Sequence, residues 1–400
     1  MCQFENLKFE IRKWLFIPFL GIIFTALPFQ AYSQEGKISL NGYVKELYMF
    51  YSPESPIPGF DVKNLGMNIL HNRLNFKWYT TSKFTAVVEM RNRLMFGNLV
   101  RDFPDYQSTV NVDNGLVNMS WITAQGSGWF VHSMIDRAYL DYSSGKWQVR
   151  AGRQRVNWGI NFVWNPNDIF NTFSYFDFDY EERPGTDAVR VQYYAGVTSS
   201  AEMVYKPGRD QVHSALAGMY KFTRWNYDFQ FLGGQAGNDW VLGGGWSGDI
   251  YGAGFRGEIT HFEPRVSSSV KATVASVSGD YTFKNSLYIH ASALYSSNGK
   301  TGKAGGMDIL FNPDMSAKQL SFARYSLFGQ ISKPITPLFT GSFSGIVNPS
   351  DGSFYFGPAL TYSLMNNLEL MLTGQLFFGD AGTEFGDVGQ IAFGRLKWSF

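Results

Sequence analysis

Residues 70–96 read LHNRLNFKWYTTSKFTAVVEMRNRLMF. In the first ten, Leu70, Leu74, Phe76 and Trp78 alternate with His71, Arg73, Asn75 and Lys77. After Thr80-Thr81-Ser82 the alternation resumes, with Phe84, Ala86, Val88, Met90, Leu94 and Phe96 on one face and Glu89, Arg91 and Arg93 on the other. A period of two is the strand signature, because successive side chains point to opposite faces. Two such runs about a three-residue turn read as a hairpin. A soluble sandwich would show the same alternation, so the connections have to decide between architectures.

Turns of two or three residues fall at Thr80–Ser82, Ser143–Gly145, Gly196-Val197, Thr223-Arg224, Lys284-Asn285, Lys333-Pro334 and Met365-Asn366. Between them lie longer polar, Gly- and Pro-rich segments near 52–68, 98–127, 155–185, 207–212, 263–268, 298–319 and 380–388. Short and long alternate along the chain, as in barrels with tight turns at one membrane face and long loops at the other. Greek-key connections would scramble that order. The pattern predicts an all-β fold, a transmembrane antiparallel up-and-down β-barrel. Its strands fall near 37–51, 69–80, 82–97, 129–143, 146–154, 186–196, 198–206, 213–223, 225–235, 239–248, 250–262, 269–283, 285–297, 320–333, 335–349, 353–364, 366–379 and 389–400. That makes about 18 strands, or 16 if the glycine-rich stretch 236–256 pairs differently. A cylinder of this size encloses water or is partly plugged by its own loops.

Composition agrees. The 400 residues carry 17% aromatic side chains, 42 glycines and only 17% charged residues, with 34 bases against 33 acids. Mean hydropathy is −0.16, which suits a membrane wall in which only every second residue must be apolar. A net charge of +1 provides no long-range field for nucleic acid. Residues 1–33 read as a cleaved signal peptide: Lys8, Arg12 and Lys13 precede an apolar run broken by Pro18, and Ala31-Tyr32-Ser33 supplies the small residues before the cut. The barrel is then expected over 34–400, with 31 bases and 31 acids. Cys2, the single cysteine, leaves with the signal, which excludes disulfides and thiolate metal sites. No metal or cofactor motif appears. Asp177, Asp179 and Glu181 lack the glycine turn and spacing of a calcium loop, and Gly243–Gly245 has no following phosphate-binding helix. The five histidines (His71, His132, His213, His261, His290) are scattered. His132 and Ser133, being neighbours on a strand, are expected on opposite faces, so a lipolytic site is the least favoured reading.

The most distinctive stretch is 152–194, GRQRVNWGINFVWNPNDIFNTFSYFDFDYEERPGTDAVRVQYY. Its runs Gly152-Arg153-Gln154 with Trp158-Gly159, Asn165-Pro166-Asn167-Asp168 with Phe170-Asn171, and Glu182-Arg183-Pro184-Gly185 with Asp187-Ala188 resemble those of porin-like outer-membrane barrels of Gram-negative bacteria, including the alginate-export group. The resemblance spans about forty residues and implies a channel in the cell outer membrane without naming a solute. A connection of thirty residues with this many aromatics is expected to turn inward and narrow the lumen. Arg153, Arg155, Trp158, Asn165, Asp168, Asn171, Asp177, Asp179, Glu181, Glu182 and Arg183 are its candidate constriction residues. Arg73, Lys77, Arg91, Arg93, Arg137, Arg150 and Arg190 are the expected basic residues of the pore wall. A basic wall facing an acidic loop would set up a field across the pore; alternatively the charges neutralise one another in buried pairs. The leading expectation is a diffusion channel for small hydrophilic, anionic solutes. Its rival is a loop-plugged barrel serving an adhesion or secretion complex. The expected partners are outer-membrane lipid, the solutes themselves, and a barrel-assembly machinery that reads the terminal Phe400. The oligomeric state is open.

Overall fold

The computed structural model describes residues 37–55, 64–103, 105–177, 181–305 and 315–400. The expected signal peptide with Cys2, and Asp179 of the long loop, lie outside them. The strands are β1 (Ile38–Ser52), β2 (Leu65–Tyr79), β3 (Phe84–Phe96), β4 (Ser120–Gly126), β5 (Trp129–Ser144), β6 (Trp147–Gln154), β7 (Thr186–Tyr194), β8 (Ser200–Lys206), β9 (Ala215–Arg224) and β10 (Tyr227–Ala236). They continue as β11 (Asp239–Ile250), β12 (Ala253–Pro264), β13 (Ala272–Thr282), β14 (Tyr288–Ser296), β15 (Tyr325–Thr336), β16 (Phe339–Val347), β17 (Phe354–Met365), β18 (Leu368–Phe378) and β19 (Gln390–Ser399). All pairings between them are antiparallel and join sequence neighbours, except that β3 pairs β5 along its length, and β1 pairs β19 from Tyr43↔Ser399 to Ser52↔Gln390. The result is a closed barrel of 18 strands, with β4 and β6 sharing one edge of β5 as a single position in the wall. At the seam Gly42 and Phe400 exchange two backbone hydrogen bonds of 3.0 and 2.9 Å. The glycine-rich stretch forms a continuous ladder through β10, β11 and β12, so the sixteen-strand pairing does not occur.

β4 is the strand that the alternation does not foretell; it lies inside the expected loop 98–127. β5 is 16 residues long, but β6, its neighbour, is only 8. The upper half of β5 pairs with β4 instead, from Ser120↔Met134 to Gly126↔Trp129. The physical reason is the exposed edge. Where β6 leaves the wall, the unpaired N–H and C=O groups of β5 would face an apolar medium, and β4 covers them.

Outward side chains are apolar and exposed, among them Leu74, Val88, Leu140, Phe231, Leu327 and Leu372. Aromatic pairs ring both rims. Phe84–Tyr142 and Trp147–Tyr193, each at 4.7 Å, sit at the short-turn end, and Tyr295–Tyr325 at 5.5 Å and Phe354–Phe378 at 4.8 Å at the long-loop end. Such paired girdles are the mark of a barrel in a bilayer. The apolar core therefore lies inside the cylinder, between the wall and the inturned loops, around Trp158, Trp164, Phe170, Phe328, Phe377 and Phe385.

This orientation has a direct test. Leu372→Arg, on the outward face, is expected to cost about 2–4 kcal/mol in urea unfolding from lipid vesicles. Ser332→Arg, on the inward face, should stay within about 1 kcal/mol; equal costs would invert or abolish the assignment of the two faces.

Candidate functional site

Two residues before β6 ends, Gly152 has a φ of 118°. A side chain there would run into the Ala138 carbonyl of β5, so the position demands glycine. Next come Arg153 and Gln154, both fully buried. Arg153 grips Asp187 of β7 through two hydrogen bonds of 2.8 and 3.0 Å, and also Asp113 at 2.7 Å and the Val117 carbonyl at 2.7 Å. Gln154 donates to the Ala188 carbonyl at 3.0 Å. Asn171 clasps both ends of the loop, accepting from the Val156 N–H at 2.9 Å and donating to the Pro184 carbonyl at 3.0 Å. The three sequence runs singled out above thus meet at the neck of the loop and hold it shut.

From the neck the loop travels round the inside of the barrel. Trp158 donates its indole N–H to Glu202 of β8 at 2.7 Å, and its carbonyl accepts from Gln230 of β10 at 2.7 Å. The backbone N–H groups of Ile160, Asn161 and Asn167 all converge on the Glu258 carboxylate of β12, the latter two at 2.7 and 2.9 Å. Asn161 bonds Ser276 and Ser278 of β13, each at 2.6 Å. Phe162 stands edge-on to His290 of β14 at 5.5 Å, and Trp164 to Phe328 of β15 at 6.4 Å. Phe176 packs on Tyr355 of β17 at 5.2 Å, and its carbonyl accepts from Gln375 of β18 at 2.7 Å. Glu181 pairs with Arg395 and Lys397 of β19 at 2.7 and 2.6 Å. Glu182 meets Tyr43 of β1 at 3.2 Å and Arg73 of β2 at 3.6 Å. The contacts run in two passes. From Trp158 to Trp164 they go from β8 to β15, and at Asn167 and Asn171 the chain comes back to β12 and to the neck. From Tyr175 to Glu182 the described residues touch β15 to β19, then β1 and β2, so that together the two passes line the wall as a hoop.

Flush docking depends on two of the glycines in the 233–257 stretch. A side chain on Gly243 would meet Asn167 Oδ1 at 3.0 Å, and one on Gly245 would meet Ile160 at 2.9 Å. These glycines make room for the loop.

All seven expected wall cations face inward, with differing surroundings. Arg73 is wholly buried and bonds Glu89 at 2.7 Å and Asp136 at 2.5 Å. Arg91 reaches the other oxygen of Asp136 at 3.2 Å. Arg137 pairs with Glu89 at 3.3 Å and also holds the Glu182 carbonyl of the loop. Arg150 pairs with Asp141 at 2.7 Å, and Arg190 lies 4.0 Å from Glu202. Arg93 donates to His132 Nδ1 at 2.9 Å. Lys77 is half-buried near the short-turn end of β2. Within the loop, Asn165 is buried and Arg155 bonds only Asn157, at 3.3 Å. Arg183 lies over the Phe173 ring at 3.1 Å. Burial, reinforced by Arg155, lowers the Arg183 guanidinium to about 10. Glu181 sits below the usual carboxylate range because the attraction of Lys397 and Arg395 outweighs its burial. Asp168 is 1% exposed, and burial raises it to about 7 against the opposing pull of Arg155, with Glu258 adding to the rise.

A cavity of about 1030 Å³ lies on the long-loop side of the hoop. It is lined by Arg91, Arg93 and Lys206 on the cationic side and by Asp113, Asp177 and Asp239 on the acidic side. Asp113 and Asp239 are already paired, with Arg153 at 2.7 Å and Lys318 at 2.8 Å.

By shape, the chain is similar to outer-membrane porins of Acinetobacter and Pseudomonas. OccAB4 of Acinetobacter baumannii superposes with a TM-score of 0.59, covering 92% of this chain and 99% of that one at 9% identity. OccAB3 of the same organism gives 0.56, with 90% and 99% covered at 10% identity. OccK11 (OpdR) of Pseudomonas aeruginosa gives 0.54, with 91% and 95% covered at 9% identity. The fold is porin-like. By sequence, the chain matches no protein-family model and no curated protein.

Several residues of this porin-like interior escape sequence reasoning. Glu258 reads there as one more inward polar residue, and Tyr43 and Arg395 as ordinary strand positions. Asp136 leaves a trace: Asp136-Arg137 breaks the alternation, and the structure has a register shift there, between the Glu89↔Arg137 and Met90↔Ile135 pairs, that turns both side chains inward. His132 and Ser133 do fall on opposite faces, but His132 finds another serine, Ser120 of β4, at 2.7 Å. Arg93 donates to Nδ1, so Nε2 carries the proton and donates to Ser120, whose own hydroxyl donates to Asn111 at 2.8 Å. A histidine so placed cannot take a proton from that serine; the trio pins β4 to the wall.

Two outcomes are expected. Glu258→Ala strands three buried N–H groups, each costing about 1–3 kcal/mol, and should free the first third of the hoop. Chymotryptic cleavage within 158–170 would appear in folded barrel, and an uncut loop would refute the anchor. For Asp168 the folded-state value lies above the unfolded one. Loop docking is then strongest near pH 4 and weakens as pH rises towards 7, by about 1.4 kcal/mol per unit. Protease susceptibility of the loop should climb over that window in the parent and stay level in Asp168→Asn.

Proposed function

We propose that the chain is a diffusion channel of the bacterial outer membrane for small hydrophilic solutes, anionic by preference. The observation that carries this is the hoop. The described residues between 158 and 182 touch the wall from β8 round to β2 in two passes, an arrangement that narrows a lumen along its perimeter. Apolar outward faces and two aromatic girdles support the membrane setting, and the porin-like fold supports a channel. The expected short turns then lie in the periplasm and the long loops outside the cell. Recognition of Phe400 by the assembly machinery belongs to the same proposal.

The anionic preference rests on the outer cavity. Within it, Asp113 and Asp239 are paired with Arg153 and Lys318 and Arg91 with Asp136, and the other charges of the lining are Arg93 and Lys206 against Asp177, a basic balance. The hoop itself carries little net field, since Glu181 and Glu182 are matched by wall cations. Selectivity is accordingly assigned to the mouth. Solutes pass down their gradient, and no bond is made or broken.

One observation favours a second reading, a barrel plugged for a structural or partner-binding role. Tyr175 and Phe176 fill one side of the lumen against Phe328, Tyr355, Phe377 and Phe385. Single-channel recording in planar bilayers separates the two. A channel gives discrete steps that grow when 160–178 is deleted, and its reversal potential under a KCl gradient shows chloride preference that falls in Arg91→Gln/Arg93→Gln. Absence of steps supports the plug, and cation preference overturns the anionic assignment while leaving the channel.

A further inference from the structure

Mid-wall, the outward face is apolar on most of the described strands, and the outward polar residues Gln235, His261, Thr273 and Lys333 sit within a few residues of strand ends. One sector departs from this. On β1, Glu46 lies between the outward residues Val44 and Tyr48, eight positions above Ile38 and six below Ser52. On β2, Asn72 occupies the middle of a 15-residue strand. Asn72 is paired in register with Asn92 of β3, and Asn92 with Ser133 of β5. The register alternation puts all four on the outer surface: Lys45, His71, Arg73, Arg91 and His132, their immediate neighbours, are the buried inward residues.

Half of this polar row is satisfied within the chain. Ser133 donates to Asn92 Oδ1 at 2.7 Å and bonds Thr123 of β4 at 2.8 Å. Among the described residues, Glu46 has no ion-pair or hydrogen-bond partner, and neither does the side chain of Asn72. Across the seam Glu46 faces Leu396 of β19, and on its other side Leu70 of β2. A carboxylate and an amide in the hydrocarbon layer without partners are costly, and a polar partner in the membrane removes that cost.

We propose that this sector, β1 to β5, is the contact surface between two copies of the chain lying side by side in the membrane. Depth argues for a second copy. Two copies inserted in the same sense carry the row at the same height, so the polar groups meet without adjustment, whereas an unrelated partner would need a matching row at that level. Chemistry argues the same way. About a two-fold axis along the barrel axis, residue i meets j and j meets i. The Glu46 carboxylate of each copy then accepts from the Asn72 amide of the other, giving two equivalent charge-assisted hydrogen bonds. The inference rests on the membrane setting of the barrel and on no assumption about what the lumen passes.

The test uses the full chain in lipid vesicles, with Cys2→Ser removing the one native thiol. Leu70→Cys is placed beside the row and Leu242→Cys on the far side of the barrel, and each is treated with a short bis-maleimide. Leu70→Cys is expected to give a covalent homodimer and Leu242→Cys only monomer. Adding Glu46→Leu/Asn72→Leu to the Leu70→Cys chain should lower the dimer yield at least tenfold, with heat-shifted gel mobility as the control for folding. Monomer alone from Leu70→Cys, equal yields from both walls, a cross-link to a different protein in native membranes, or a yield indifferent to the double substitution would each overturn the proposal. Should the double substitution fail to fold, the comparison of the two cysteine positions still decides.

Discussion

Every backbone N–H and C=O in the lipid-facing wall must find a partner within the protein, because the hydrocarbon offers none. From that requirement follow closure of β19 onto β1, the meeting of Gly42 and Phe400 at the seam, and the presence of β4. The last is the most informative. The chain leaves the wall after Gln154, at the end of only eight residues of β6, which bares half an edge of β5. The loop before β5 supplies a strand to cover it, and Ser120, His132 and Asn111 hold that strand in place. Diverting thirty residues into the lumen and patching the wall above β6 are therefore one structural event.

The same constraint governs the lumen. A loop pressed against the wall loses water from its own backbone, and the wall answers group by group. Glu258 takes three N–H groups; Ser276, Gln230 and Gln375 meet carbonyls of Trp164, Trp158 and Phe176. The ion pairs act differently. A buried pair adds little net stability over an apolar pair of the same size, but removing one member leaves an uncompensated charge and costs about 3–5 kcal/mol. Arg73, with Glu89, Asp136 and Glu182 around it, thus penalises any other seating of the loop and fixes where its acidic end lies.

The wall was legible in the sequence because lipid imposes a period of two on it. Leu74, Phe76 and Trp78 cannot exchange faces with Arg73, Asn75 and Lys77 without placing charge in hydrocarbon. Alternating connection lengths supplied the topology, and a long aromatic loop supplied the inward turn. Partners were not legible, since they are set by register between segments far apart in the chain. Glu258 lies 91 residues or more from the N–H groups it binds. β4 was hidden for another reason: it exists to complete an edge, and in Ser120–Gly126 the pattern is short and broken by a register shift. The glycines of β11 were visible as residues, but their purpose depends on what docks against them.

Burial of the loop acids changes where an electric field can act. At its midsection the barrel holds Glu181 and Glu182 in contact with Arg395, Lys397 and Arg73. From the axis such pairs are dipoles, whose potential falls off faster than that of a lone charge. An ion passing the hoop would therefore feel short-range hydrogen bonding and size more than charge. Near the long-loop end the balance differs, because Asp113 and Asp239 are drawn to Arg153 and Lys318, and Arg93 and Lys206 outnumber Asp177 in the rest of the lining. A low-dielectric rim concentrates field lines at such a mouth. On the channel reading, sieving by size and sorting by charge then occupy different heights of one pore, because the pairs that seat the loop leave its acids little charge to present to the lumen.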